Sequence, residues 1–480
     1  MRCTLAASII AITSLFTSAG CDRSGSTHRP QDDSLHLPRV GVGEFHAEEE
    51  HRPVEVEAVL PRTSPRTLQD ALQKEIEVVE HIVELWWASR PIHEDATDPR
   101  VPLVFNELRE QARSMDTPGS YTEALRYALC SLGDGHLRLV DEPGATRKYF
   151  SGLHFDRAGD HIVVSSRSVG TGKGAQPEPQ GRDKLIAADG TPIDEWMDRL
   201  CLAPGSTKQH RHAVALASLR QQSRFIHEQP TPRELTLQRH SGETYTIQVD
   251  WHALDRSVTT PCVRGVMLDK KHKIGMLRVH TLWCEDDNGA LSDVALVTQL
   301  RAAAKSLRTA THIVVDLRGN PGGTAWAGRR VLGMLRPGRT VWTQQRTRHP
   351  YRATAPRETI EHQPAATDPK LKSVPLWVLI DAGCADTCEL LAGALRATDK
   401  VTMVGRATAG SVGNVATFRL PYTGLRIAVP VTEHSLPGSD LNIEGRGIAP
   451  EIEVVRAPSD IGVGANADLE VALERIRALQ

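Results

Sequence analysis

The chain has 480 residues, 40% of them hydrophobic and 24% charged, with a formal net charge of −2. That is enough chain for two or three domains with sizeable cores, and the composition excludes a fully disordered or membrane-embedded protein. The balanced charge gives no footprint for nucleic acid, and aromatic residues, at 4%, are too few for base stacking.

The first element is an export signal. "MRCTLAASIIAITSLFTSAGC" places Arg2 before an apolar run from Leu5 to Phe16, too short to span a bilayer, followed by small residues. Residues 1–20 read as this signal. Residues 21–65 are rich in Pro, His, Arg and Glu without apolar periodicity, and read as a flexible tether.

A helix is expected from Ser64-Pro65, with Ser64 as cap and Leu68, Leu72, Ile76, Val79, Val83 and Trp86 on one face. A second helical stretch, around Tyr121 to Leu129, leads into "GDGHLRL"; residues 66–148 form this helical region. From 149 to 253 short alternating runs ("HIVVSS", "ELTLQRH", "TYTIQVDW") separated by turns read as an inserted β-rich module. From 254 to 456 the pattern is α/β. "KIGMLRVH", "HIVVDLRG", "VPLWVLI" and "VTMVG" are strands, and Leu291 to Leu307 and Glu389 to Arg396 are helices between them. The near-continuous apolar strands imply a sheet covered on both faces. Residues 457–480 carry a terminal amphipathic helix over 465–478.

Six cysteines remain after Cys3 and Cys21: Cys130, Cys201, Cys262, Cys284, Cys384 and Cys388. Export permits disulfides, and sequence leaves their pairing open. No CxxC pair and no histidine at ligand spacing point to a metal, so no metal or cofactor is expected.

Two short segments carry the candidate chemistry. "DLRGNPGG", Asp316 to Gly323, is a buried strand ending in a turn that only small residues tolerate, able to aim backbone N–H groups at one spot. "DAGCADTCELL" runs from a strand into a helix, with Asp386 and Glu389 at capping-box spacing. It reads either as a helix cap or as a catalytic elbow. Cys384 and Cys388 there form a local disulfide, stay buried as thiols, or supply a thiolate at the helix N-terminus.

The order "GDGHLRL", β-rich insert, "DLRGNPGG", strand-to-helix turn, "VGRATAG", "NIEGRGIAPEIEV" resembles the tail-specific, or C-terminal-processing, serine peptidases over residues 66 to 456. The resemblance implies an α/β (α+β) fold: a layered peptidase core, an inserted PDZ-like domain and an N-terminal helical segment. "SGLHF" would be the peptide-binding loop, with Gly152, Leu153 and Phe155. The family's serine column falls on Asp386, and Ser411 stands where one branch has its lysine base. The tricorn-like branch uses a histidine and a glutamate, which match His136 and Glu444. Gly322 and Gly323 match the oxyanion hole. Thr387 is the neighbouring hydroxyl. Ala19-Gly20-Cys21 resembles a lipoprotein signal in which Cys21 is lipidated, which implies a membrane-anchored protein of the cell envelope.

Two functions follow from the resemblance. One is peptide hydrolysis by acyl transfer. The other is a non-catalytic relative that binds unstructured peptides or protein C-termini. An aspartate has no proton to surrender at neutral pH, and a carboxylate beside a histidine raises the imidazole's pKa and weakens it as a base.

Overall fold

A computed structural model describes residues 55–57, 65–88, 98–140, 146–167, 178–225, 230–253, 261–286, 289–338, 340–347, 358–362, 371, 373–439, 441–457, 460–461 and 466–480. The export signal and Cys21 lie outside them. Among the described residues, no helix is long and apolar enough to cross a membrane.

Side-chain alternation along two apolar strands sets the layers of the core. In the strand His312–Asp316, Ile313 and Val315 enter one apolar cluster and Val314 another. In the strand Leu376–Ile380, Leu376, Val378 and Ile380 join the first cluster, and Trp377 and Leu379 the second. Both faces are therefore buried, as the continuous apolar runs require. The sheet has six strands in the order Val263–Asp269, Ile274–Val279, His312–Asp316, Leu376–Ile380, Val401–Gly405, Ile452–Glu453. The first pair is antiparallel and the others are parallel. Residues of the helices Asp293–Leu307, Ala325–Leu335 and Thr387–Arg396 fill the first cluster. The terminal helix Ala467–Ala478 closes the other face through Ala472 and Ile476. The layered α/β core expected from the sequence is thus present.

The helices Leu68–Trp86, Arg100–Ala112 and Pro118–Ser131 share a core with a second sheet, ordered Glu55–Glu57, Val415–Arg419, Arg426–Pro430, Arg138–Val140. Two expectations are corrected here. The first helix begins at Leu68, because the Thr67 hydroxyl accepts the Asp70 N–H and caps it; Ser64 lies outside the described residues. Within the segment read as a tether, Glu55–Glu57 forms a strand parallel to Val415–Arg419.

The inserted segment builds its own core from Leu153, Ile162, Val164, Leu185, Trp196, Leu216, Leu235 and Leu237. Its main sheet runs Thr244–Gln248, Glu234–Gln238, Lys184–Ala188, His161–Arg167, Leu153–Ala158, with Thr191–Pro192 pairing beside Lys184–Ala188. The strand Leu153–Ala158 is its edge. The helix Lys208–Arg220 supplies Ala215, Leu216 and Leu219 to the same core as Leu153.

Disulfides join Cys130 to Cys201, Cys262 to Cys284 and Cys384 to Cys388. Cys384 and Cys388 are therefore neither free thiols nor a reactive thiolate.

Candidate active site

The strand Leu376–Ile380 ends in a turn held by one carboxylate. Asp381 Oδ1 accepts the N–H groups of Gly319 (2.8 Å) and Gly383 (2.9 Å), which ties this turn to the Asp316–Gly323 turn beside it. Asp386 then precedes the helix Thr387–Arg396 with φ 54° and ψ −127°. Positive φ is costly for a residue with a Cβ, and strain of this kind marks the elbow that lifts a side chain out of a strand–turn–helix corner. The capping expectation fails. The Asp386 side chain makes no cap hydrogen bond, and its own N–H donates to the Ser411 carbonyl at 2.7 Å. The Cys384–Cys388 disulfide brackets this turn.

Glu389 is no capping-box partner either. Its fully buried carboxylate accepts the Thr408 hydroxyl and the N–H groups of Gly410 and Ser411, each N–H at 2.8 Å. Burial pushes its pKa up to about 7 against these donors. Glu389 thus holds the 408–411 loop, whose Ser411 carbonyl holds the elbow.

The glycine turn is built around buried Asn320. Its amide donates to the Val279 carbonyl at 3.1 Å, and its Oδ1 accepts the Gly322 N–H at 2.9 Å. That consumes the Gly322 N–H, one of the two oxyanion donors expected. The backbones of Gly323 and Thr387 face the Asp386 carboxyl and favour its ionised form. Thr387 is buried, and its hydroxyl donates to the Gly323 carbonyl at 2.7 Å and reaches Asp386 Oδ2 at 3.3 Å. It braces the turn, which does not suit a nucleophile. Gly322 has φ 93°, and a Cβ there would sit 2.8 Å from Asp386 Oδ2.

His136 follows the helix Pro118–Ser131. Asp134 fixes its loop: Oδ1 accepts the His136 backbone N–H at 2.8 Å, and Oδ2 accepts Trp87 Nε1 at 2.9 Å. His136 Nε2 lies 3.9 Å from Asp386 Oδ1. Behind the ring, Glu444 Oε2 accepts the Val412 N–H at 2.7 Å. His136 Nδ1 and Glu444 Oε1 are both buried with no hydrogen-bond partner. A ring nitrogen of His136 and one carboxylate oxygen each of Asp134 and Glu444 lie within 4.8 Å of one another. Burial, then the charge of Asp134, raise the Glu444 carboxyl well above the usual range. Burial also raises Asp386, with His136 and the Gly323 and Thr387 backbones pulling the other way.

The structure therefore brings His136, Asp386, Thr387, Glu444 and Gly323 to one place. Gly152, Leu153 and Phe155 sit apart in the inserted module. Leu153 is buried in its core, with its N–H bonded to Ser151 Oγ at 3.1 Å, and Phe155 packs partly buried on the same edge strand. Asp134 and Asn320 were not singled out from the sequence, and Glu389 was read there only as a capping-box partner. The first two lie inside motifs where an Asx side chain two residues before a bonded N–H is the readable signal.

Residues 273–454 match the model of peptidase family S41. A carboxyl-terminal-processing protease of Picosynechococcus sp. is 29% identical over 206 residues, 42% of this chain and 45% of the relative. Its counterpart in Synechocystis sp. is 35% identical over 166 residues, 34% of this chain and 36% of the relative. The chain thus spans under half the length of these curated relatives. Among solved structures, mature CPAF complexed with lactacystin superposes with a TM-score of 0.64 at 15% identity, covering 86% of this chain and 98% of that one. This likeness concerns the fold.

Proposed function

From the chain's membership of the tail-specific protease family, we propose that it binds unstructured peptides or protein C-termini on a peptidase scaffold and does not cleave them by serine-type acyl transfer. The observation that carries this reading is the Asp386 carboxylate, at the apex of the strained elbow and facing the backbones of Gly323 and Thr387. We take Asp386 as standing where the family carries its serine. Acyl transfer needs a hydroxyl or thiol there, activated by the neighbouring imidazole. A carboxylate attacking a peptide would form a mixed anhydride, a high-energy product. The backbone that would stabilise a tetrahedral oxyanion already faces the Asp386 carboxyl.

Peptide capture is supported by the inserted module, which we read as PDZ-like. Its edge strand Leu153–Ala158 has no second pairing strand among the described residues, so an extended peptide can add there. The export signal and Cys21 support a lipid-anchored protein of the cell envelope. Nothing in the charge calls for nucleic acid as a partner.

The hydrolytic reading keeps one observation in its favour: His136, Glu444 and the strained elbow stand together. It lacks a nucleophile, since Thr387 is committed to the Gly323 carbonyl.

Fluorescence anisotropy with an unstructured peptide, free and C-terminally amidated, tests the binding reading on the full chain. Saturable binding with the peptide recovered intact supports it. Failure to bind either peptide, or cleavage that disappears in His136→Ala, refutes it.

A further inference from the structure

We propose that Asp134, His136 and Glu444 form a binding site for a divalent transition-metal ion such as Zn²⁺ or Mn²⁺, with His136 Nδ1 and Glu444 Oε1 as its principal ligands. The inference does not rest on the peptide-binding reading.

Three observations carry it. The first is distance. A ring nitrogen of His136 and one carboxylate oxygen each of Asp134 and Glu444 lie within 4.8 Å of one another. Zinc–nitrogen and zinc–oxygen bonds are about 2.0–2.2 Å, so two donors of one ion stand up to about 4 Å apart, and movements of under about 1 Å complete the site.

The second is hydrogen bonding. His136 Nδ1 and Glu444 Oε1 are buried lone-pair atoms with no partner. Each unsatisfied buried group of this kind costs about 1–3 kcal/mol, and a cation between them satisfies both at once. Asp134 has spare capacity as well: each of its oxygens accepts a single hydrogen bond, from Trp87 and from the His136 backbone.

The third is scaffolding. The bonds from Trp87 Nε1 to Asp134 and from the Val412 N–H to Glu444 fix the carboxylates from behind, as supporting contacts do around metal ligands.

One imidazole with two carboxylates suits Zn²⁺, Mn²⁺ or Co²⁺ better than Mg²⁺ or Ca²⁺, which prefer all-oxygen sites. A metal on Nδ1 keeps the proton on Nε2, so the ring would present an N–H donor to Asp386.

The test is calorimetric titration of the chelator-stripped mature chain with zinc and with manganese chloride. The expected result is one equivalent bound, weakened at least ~10-fold in Glu444→Gln and in His136→Gln and retained in Asp386→Asn. The zinc X-ray absorption spectrum of the wild type should show one imidazole and two carboxylates, a readout that holds even if a variant misfolds. Absence of binding would mean that these three side chains hold no ion. Equal binding by wild type and both ligand variants would mean adventitious surface histidines. Either outcome overturns the proposal.

Discussion

Asp386 Oδ1 faces His136 Nε2 at 3.9 Å across a corner where the backbones of Gly323 and Thr387 favour the ionised form of the same carboxyl. An acid thus sits where the surrounding arrangement suits a hydroxyl: imidazole on one side, oxyanion donors on the other. Its side chain is turned toward this corner and makes no cap bond to the helix that follows it.

The glycine turn should tolerate no side chain. Gly323 has φ 142°, and a Cβ there would overlap the Leu282 carbonyl. Gly323→Ala should therefore destabilise by more than about 2 kcal/mol, combining a disfavoured backbone with overpacking. Thermal unfolding checks this; a melting curve matching the wild type would mean that the turn is not packed as described.

Two buried groups give opposite pH slopes. Glu389, raised to about 7, holds its proton more tightly folded than unfolded. Its stabilising contribution is complete below its ordinary value of 4.5 and is lost as pH rises through about 7, at ~1.4 kcal/mol for each pH unit between those two values. His434, buried and lowered to about 4, behaves in reverse. Its contribution is complete above the ordinary 6.5 and is lost as pH falls through about 4. Urea unfolding between about pH 5 and 8 should show Glu389→Gln with a steeper rise with pH than the wild type, and His434→Gln with a steeper fall. Raised Glu444 and Asp386 add to the falling side in every variant. Parallel profiles for all three proteins would contradict the assignment.

The Cys130–Cys201 disulfide closes a span of 71 residues and joins the helix before His136 to the inserted module. Replacing both cysteines with serine should cost about 4 kcal/mol on the loop-entropy model. Chemical denaturation measures this directly, and a loss under about 1 kcal/mol would mean that the packing of Gly205 against Gly133 already holds the two segments together.

How far the sequence revealed this site depends on the range of each interaction. Strands such as Leu376–Ile380 were legible because burial on both faces leaves a continuous apolar run. The meeting of His136, Asp386 and Glu444 was legible only through the family resemblance, since nothing in their spacing brings them together. Asp386 and Glu389 at capping-box spacing misled, because that pattern records residue types and not ψ. The partners that override it, Thr408 to Ser411, arrive from a separate loop. Thr67 as the first helix's cap was likewise not legible, since only geometry shows that its hydroxyl reaches the Asp70 N–H. Gly322 looked equivalent to Gly323 until Asn320 was seen to take its N–H.

Asp386→Ser tests the central claim most directly. The chelator-stripped wild type and this variant, each with and without His136→Ala, would be incubated with an unstructured protein and the products identified by mass spectrometry. The account predicts no cleavage by the wild type. It predicts peptide-bond hydrolysis by Asp386→Ser, with the imidazole contributing on the order of 10²–10⁴-fold, so that His136→Ala removes most of it. Cleavage by the wild type that is lost in Asp386→Asn would contradict it, and so would a correctly folded Asp386→Ser protein that binds peptide and leaves it intact.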